Sequence, residues 1–294
     1  MNTKIKSILL TTSLLVLAAC SQKNDTPTES ELLARNIVGG AVASDSFQKE
    51  NGVVALVITT VDGQGLCTGT LIAKRIVLTA AHCLDSSDAA IQSIAVVFTT
   101  DVSKATQETV RFGVKGRVHE AFLSSAGGPG AWNDIALLKL NEDAPADVKF
   151  AKLPSIMSLP LKVRTSLIQA GFGRTEASRT STTATSGVLK QVGGIEVLKL
   201  VSDGKEMHLR ENGKGSCNGD SGGPAFVKIS GKLTQVGINS RGTDPASCIG
   251  VGIFTTVSAH LAWIKTNSEL LLAEETAPAP SPEPAPAPTP PTAE

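Results

Sequence analysis

The stretch Gly219-Asp220-Ser221-Gly222-Gly223-Pro224 decides how the chain is read; Cys217 and Asn218 precede it and the apolar run Ala225-Phe226-Val227 follows. Glycines let a backbone turn tightly and bring its N–H groups close to a bound molecule. A serine hydroxyl held in such a turn can attack a carbonyl when a base stands nearby. The N–H groups of Gly219 and Ser221 could then hold the oxyanion that forms. The plainer alternative is a Gly/Ser/Asp/Pro turn between two strands. The rest of the chain decides between them.

A serine nucleophile needs a base, and the base needs an orienting carboxylate. The histidines are His82, His119, His208 and His260. His82 sits in Leu78-Thr79-Ala80-Ala81-His82-Cys83, directly after an apolar run and beside a cysteine. His119 reads as a strand-end residue, and His208 and His260 as surface residues of a strand edge and a helix. Asp134 opens Asp134-Ile135-Ala136-Leu137-Leu138. A carboxylate placed directly before a buried strand is costly unless hydrogen-bonded, and an imidazole N–H would satisfy it.

The chain has 294 residues, of which 41% are hydrophobic, enough for a sizeable core. Its 27 Lys and Arg balance 27 Asp and Glu. Nothing in that charge points to nucleic acid or to attraction by anionic lipid. Residues 1–20 read as an export signal, with Lys4 and Lys6 ahead of an apolar stretch from Ile8 to Ala19. The ending Leu17-Ala18-Ala19-Cys20 resembles the lipobox of bacterial lipoproteins, in which the cysteine is lipidated and becomes the mature N-terminus. With Cys20 set aside, Cys67, Cys83, Cys217 and Cys248 remain. An even number suggests two disulfides in an oxidising compartment, with three connectivities open.

Residues 21–36 are polar and read as a tether or pro-segment. From Ile37 onward short β-branched runs recur between turn signals: Val53–Thr60, Leu71–Thr79, Ala95–Thr99, Val110–Val118, Ile135–Leu140, Leu167–Gly171, Leu189–Leu200, Pro224–Lys228, Leu233–Ile238 and Gly252–Val257. Many short strands without intervening helices mean an all-β sandwich or barrel. Ser258 is placed to cap a final helix to about Leu272, with Leu261, Ile264, Ser268 and Leu271 along one face. Residues 274–294 form a Pro/Ala-rich tail that cannot pack a core.

Taken together, Ile37-Val38-Gly39-Gly40, Thr79-Ala80-Ala81-His82-Cys83, Asp134-Ile135-Ala136-Leu137-Leu138, Gly171-Phe172-Gly173 and the Ser221 hexapeptide resemble the trypsin/chymotrypsin family of serine proteases, motif by motif and in that family's order. The resemblance implies two six-stranded antiparallel β-barrels and a C-terminal helix, within a protease domain of residues 37–273. It implies Ser221 as nucleophile, His82 as general base, Asp134 as the carboxylate that orients it, and an oxyanion hole from Gly219 and Ser221. It implies the bridges Cys67–Cys83 and Cys217–Cys248. Ser240 corresponds to the serine that supports the catalytic aspartate. The family's activation scheme implies a cut before Ile37 and a pair between its new ammonium and Asp220.

The primary specificity pocket would involve Gly215, Ser216, Ser240, Gly242 and Gly252. Trypsin-like members carry Asp at the position of Gly215, so the expectation is cleavage after apolar residues, helped by roomy glycine walls and by positive charge from Lys214 and Arg241. The competing reading swings Asp244 into the pocket and restores basic specificity. Arg241 itself stands where the family usually has Trp. The expected protein is a monomer that needs no cofactor or metal and acts on proteins or peptides. It is exported, held to a bacterial membrane through Cys20 until activation, and free of nucleic acid. The alternative from another class is a catalytically silent binding or adhesion protein on the same fold.

Overall fold

In a computed structural model the described residues are 37–85, 90–123, 133–155, 161–176, 178, 185–244, 247–248 and 250–274. The export signal, the tether and all but the first residue of the Pro/Ala-rich tail lie outside them. Thirteen strands are formed among the described residues. In the first half, β2 (Val53–Thr60), β3 (Gly63–Ala73), β4 (Ile76–Thr79), β5 (Ile91–Val97), β6 (Val110–Val118) and β7 (Ala136–Leu140) close into a barrel in the order β2-β3-β4-β7-β6-β5. In the second half, β8 (Ser166–Gly171), β9 (Lys190–Val201), β10 (Glu206–Glu211), β11 (Pro224–Ile229), β12 (Lys232–Gly242) and β13 (Gly250–Thr256) form a ring of antiparallel pairs that closes through β8 and β9. The short β1 (Ala41–Val42) adds to β9. Closure leaves neither barrel with an open edge for foreign strands.

The β-branched runs become strands because their alternating side chains fill the barrel interiors. Val54, Leu56, Leu71, Val77, Leu137 and Leu138 form the heart of the first core, and Leu167, Ile195, Met207, Leu209 and Phe254 that of the second. A third cluster, with Val53, Ala55, Val97, Phe172 and Phe226, joins residues of both barrels. The β11–β12 hairpin turns at Ser230 (φ 49°) and Gly231 (φ 79°). Two consecutive positive φ values belong to the type I′ turn, whose twist suits a hairpin.

The seven-residue helix α1 (Asp45–Asn51) starts at Ser44, whose hydroxyl accepts from the Phe47 amide, and stops at Gly52 in the left-handed region. A Cβ on Gly52 would lie 2.7 Å from the Lys149 carbonyl oxygen. Helix α2 (Leu261–Ala273) buries Ile264 and Leu271, and both belong to the core of the first barrel. The chain ends therefore cross over. The last helix covers the first barrel, while Ile37 packs in the core of the second.

Several sequence expectations change. The run Leu71–Thr79 is the end of β3, a turn and β4, because Lys74 and Arg75 interrupt it. Strand β10 had no signal of its own. Ser258 does not cap α2; it opens a 3₁₀ turn, Ser258–His260, and the helix begins at Leu261. His260 is buried rather than exposed, because its ring finds two internal partners, the Thr256 carbonyl at 2.8 Å and Asn133 Oδ1 at 3.1 Å. His208 lies half-buried on β10, an interior strand between β9 and β13 rather than an edge. His119 directly follows β6, as expected of a strand-end residue.

Candidate active site

Asp134 stands at the mouth of β7 and is 1% exposed. Three donors converge on its carboxylate. Oδ1 accepts from the His82 amide at 3.0 Å. Oδ2 faces His82 Nδ1 at 2.8 Å and accepts from Ser240 Oγ at 2.6 Å. The sequence supplies this geometry locally. Asn133 takes a φ of 58°, a left-handed conformation that Asn tolerates better than most residues. Its side chain donates to the Ala121 carbonyl and meets the ring of the buried His260. His119 then stacks on Trp263 of α2, with centroids 5.1 Å apart. The C-terminal helix thus braces the loop that carries Asp134.

His82 lies in a 3₁₀ turn at the end of β4, and its side chain is 36% exposed. Burial lowers its basicity. The charge of Asp134 and the hydrogen bond to it more than offset that, so the imidazole is held above its ordinary value of 6.5. Burial pushes Asp134 up, and His82 and Ser240 together bring it below the ordinary carboxylate value.

The Ser221 turn docks against this histidine turn. The Ser221 carbonyl accepts from the Thr68 amide at 2.7 Å, and the Cys83 sulfur lies 3.7 Å from the same oxygen. Gly222 packs so closely on the end of β4 that a Cβ there would come within 2.9 Å of the Ala80 amide. Both expected bridges, Cys67–Cys83 and Cys217–Cys248, are formed. The first ties the residue after His82 to β3, and the second closes the loop ahead of Ser221. Cys67, His82 and Cys83 come close enough together to suggest a metal site, but both sulfurs are committed to the disulfide, which leaves one imidazole as donor.

In the turn itself, Asp220 donates its amide to Cys217, Gly222 to Asn239 and Gly223 to Asp220. The amides of Gly219 and Ser221 donate to nothing among the described residues. Two unused N–H groups flanking one residue are what an oxyanion needs. Gly219 reaches this shape with a φ of 96°.

The Asp220 side chain turns inward, 2% exposed, and accepts from the Gly173 and Cys217 amides at 2.8 Å each. It lines a small cavity together with Ile37 and Gln169. Gln169 Oε1 is buried with no partner among the described residues. Gly171 and Gly173 both pack directly against this carboxylate. A Cβ on Gly173 would lie 2.5 Å from Asp220 Cγ and 2.6 Å from its amide nitrogen. Gly173→Ala is expected to destabilise the fold by about 1–3 kcal/mol. The urea midpoint should fall, and an unchanged midpoint would contradict the packing described.

Ser221 opens on a cavity of about 470 Å³. Of the residues expected in the specificity pocket, Ser216, Ser240 and Gly242 line this cavity, and Gly215 and Gly252 are not among its lining residues. Glu211, at the end of β10 and 3% exposed, lines it instead and fills the space beside both glycines. Sequence reasoning missed Glu211, which lies outside every motif. The positive charge expected from Arg241 is also cancelled, because Glu206 pairs with its guanidinium at 2.9 Å and 3.2 Å. Lys214 donates to the Gly193 carbonyl and is not among the lining residues. Asp244 does border the cavity, with Ser247 Oγ donating to it.

Two closed six-stranded barrels, with an aspartate–histidine pair from the first and a glycine-flanked serine from the second, define the class of chymotrypsin-like serine hydrolases. Residues 37–264 match the family model described as Trypsin. The chain belongs to the trypsin family of serine endopeptidases. It is similar to a protein described as "Chymotrypsin" from Phaedon cochleariae, 30% identical over 74% of this chain and 77% of the relative. It is also similar to "Brachyurin" from Leptuca pugilator, 31% identical over 71% of this chain and 90% of the relative. "CLIP domain-containing serine protease B4" from Anopheles gambiae is 28% identical over 68% of this chain, and the match spans 61% of that relative.

Proposed function

We propose that this chain is an exported serine endopeptidase that cleaves peptide bonds through an acyl-enzyme on Ser221. The observation that carries the reading is the threefold grip on Asp134 by His82 Nδ1, the His82 amide and Ser240 Oγ. That grip fixes the imidazole tautomer with Nε2 free to take a proton. In the reaction, His82 removes the Ser221 hydroxyl proton as the oxygen bonds to the substrate carbonyl carbon. The carbonyl oxygen gains charge and is held by the Gly219 and Ser221 amides. His82 then gives its proton to the leaving amine, the C–N bond breaks, and water repeats the sequence to release the acid. Labelling by a phosphonate or sulfonyl fluoride tests the reading. Stoichiometric modification of Ser221 with loss of peptidase activity is expected. A silent binding protein on this fold would leave Ser221 unmodified.

Asp134→Asn should lower kcat by about 10⁴-fold, since an amide favours the wrong tautomer. The pH profile carries a second mark. His82 works as the neutral base and its folded value is raised, so kcat/KM should fall as pH drops through a value above 6.5. An acid limb below the ordinary histidine range would contradict the role. The Asp134–His82 attraction stabilises the fold below the unfolded histidine value and is lost as pH rises through the folded one.

The chain is a precursor, cut before Ile37 so that the new ammonium reaches Asp220. Support comes from the cavity that Ile37 and Asp220 share. Before that cut, Cys20 is lipidated and holds the chain to a bacterial membrane. The support here is the lipobox-like sequence alone, residues 17–20. Cutting should release the enzyme, because the other four cysteines pair with one another. Fractionation should find precursor in the membrane pellet and the cut form in the supernatant. Cut enzyme that stays in the pellet would refute the release.

A further inference from the structure

This inference rests on the endopeptidase reading and concerns the side chain that its cavity accepts. Glu211 runs through the space that two absent side chains would fill. A Cβ on Gly215 would lie 2.5 Å from Glu211 Cγ and Cδ, and one on Gly252 would lie 2.5 Å from Oε1 and 2.8 Å from Oε2. The glycines therefore make room for a carboxylate of the protein, not for a large apolar substrate side chain. Oε1 is fully engaged, accepting from Gln169 Nε2 at 2.7 Å, Ser216 Oγ at 2.8 Å and the Ser216 amide at 3.1 Å. Oε2 accepts nothing among the described residues. A carboxylate so deeply buried, with one oxygen unused, is costly unless a cation comes to meet it.

Among the described residues no cation meets it. Arg241 borders the cavity but is paired with Glu206, and Asp244 adds a second carboxylate to the lining. We infer that Glu211 sets primary specificity, its Oε2 receiving the ammonium or guanidinium of a lysine or arginine on the acyl side of the cut bond. The carboxylate comes from β10, four positions before Gly215, where trypsin-like members carry Asp.

Burial raises Glu211 above its ordinary value of 4.5, and the donors from Ser216 and Gln169 only partly oppose this. The other charged groups around it are Asp220, whose own proton the Glu211 charge holds more tightly and which would neutralise the Ile37 ammonium of the cut form, together with Asp244 and the Arg241–Glu206 pair. None of them is an unpaired cation. Ionisation of Glu211 as pH rises therefore strengthens the preference for basic residues.

The test is a matched peptide series in which only the acyl-side residue varies among Arg, Lys, Leu and Phe, read as kcat/KM on purified enzyme whose N-terminus has been sequenced. The ratio of Arg to Leu should exceed ten and rise with pH, and Glu211→Gln should lower it at least 100-fold. Glu211→Asp, which keeps the charge but draws it back by one methylene, should favour Arg over the shorter Lys. It keeps the test decisive if Glu211→Gln does not fold. Competition by a small aromatic amidinium should weaken in parallel with the ratio. Enzyme labelled at Ser221 that cuts after Leu or Phe in preference to Arg, with the ratio indifferent to Glu211, overturns this assignment and leaves the endopeptidase standing. Folded chain that is neither labelled nor active on any of the peptides removes both.

Discussion

Ser221→Ala is expected to lower peptide hydrolysis by roughly 10⁶-fold, because with Ser221 as nucleophile the remaining rate would come only from binding and the oxyanion amides. Folding is expected to survive. Ser221 is half-buried, its backbone carbonyl anchors the turn through Thr68, and an alanine keeps that carbonyl. Removing one hydroxyl at such a site changes stability by about 0.5 kcal/mol, which moves the melting temperature by about 2 °C. Two measurements are needed together, turnover and calorimetry. Comparable turnover by the alanine variant would show that the nucleophile is elsewhere.

The second large effect is a pH-dependent gain in stability when the chain is cut. In the full chain Ile37 is still joined to Asn36, so no ammonium is present beside Asp220. Burial, helped by the charge of Glu211, pushes Asp220 from its ordinary 3.8 up to about 7 against the pull of the Cys217 and Gly173 amides. Below about pH 3 the carboxyl is protonated in the folded and unfolded chains alike, and nothing is lost. As pH rises the unfolded chain releases the proton first. The folded precursor therefore loses stability until about pH 7, where the loss levels off near 4 kcal/mol. A new ammonium at Ile37 would meet both Asp220 and the unpartnered Oε1 of Gln169. It would let the carboxylate ionise in place.

The cut form should therefore melt roughly 8–15 °C above the precursor at pH 7, with little difference at pH 4. The gap should close again only where the ammonium loses its proton, above its ordinary value of about 8. Asp220→Asn should flatten the precursor's pH dependence and abolish the gain. Equal melting of the two forms at pH 7, or active enzyme starting anywhere but Ile37, would sink the scheme.

The barrels could be read in the sequence wherever a strand declares itself by β-branched residues. Val53–Thr60 and Val110–Val118 have the predicted bounds. Strand β10 could not be read, because Glu206-Met207-His208-Leu209-Arg210-Glu211 has charged ends and no β-branched residue. Both glutamates are nonetheless buried, and each is met by a partner far away in sequence, Arg241 for one and Gln169 for the other, which Ser216 also reaches. Charge along a chain signals exposure only when the partners are unknown. The same blindness explains the pocket. Gly215 and Gly252 read as roomy pocket walls, but the space beside both is filled by Glu211, because what fills an opening depends on which side chain the fold brings alongside it. His260 is the counterpart on the other barrel, polar by type and buried through pairings that only the finished fold creates.

The crossed ends of the chain have a consequence for how the molecule comes into being. The barrel that holds His82 and Asp134 is written in the first half of the sequence, yet Ile264 and Leu271, near the end, complete its core. The barrel that holds Ser221 is written in the second half, yet Ile37, ahead of every strand of the first barrel, packs into its core. Neither half can finish itself. A chain still leaving the ribosome or threading through a membrane pore lacks the cover of its own first barrel until nearly the last turn of α2 has emerged. A fragment that stops before α2 is therefore expected to leave the first barrel, with His82 and Asp134, short of part of its core.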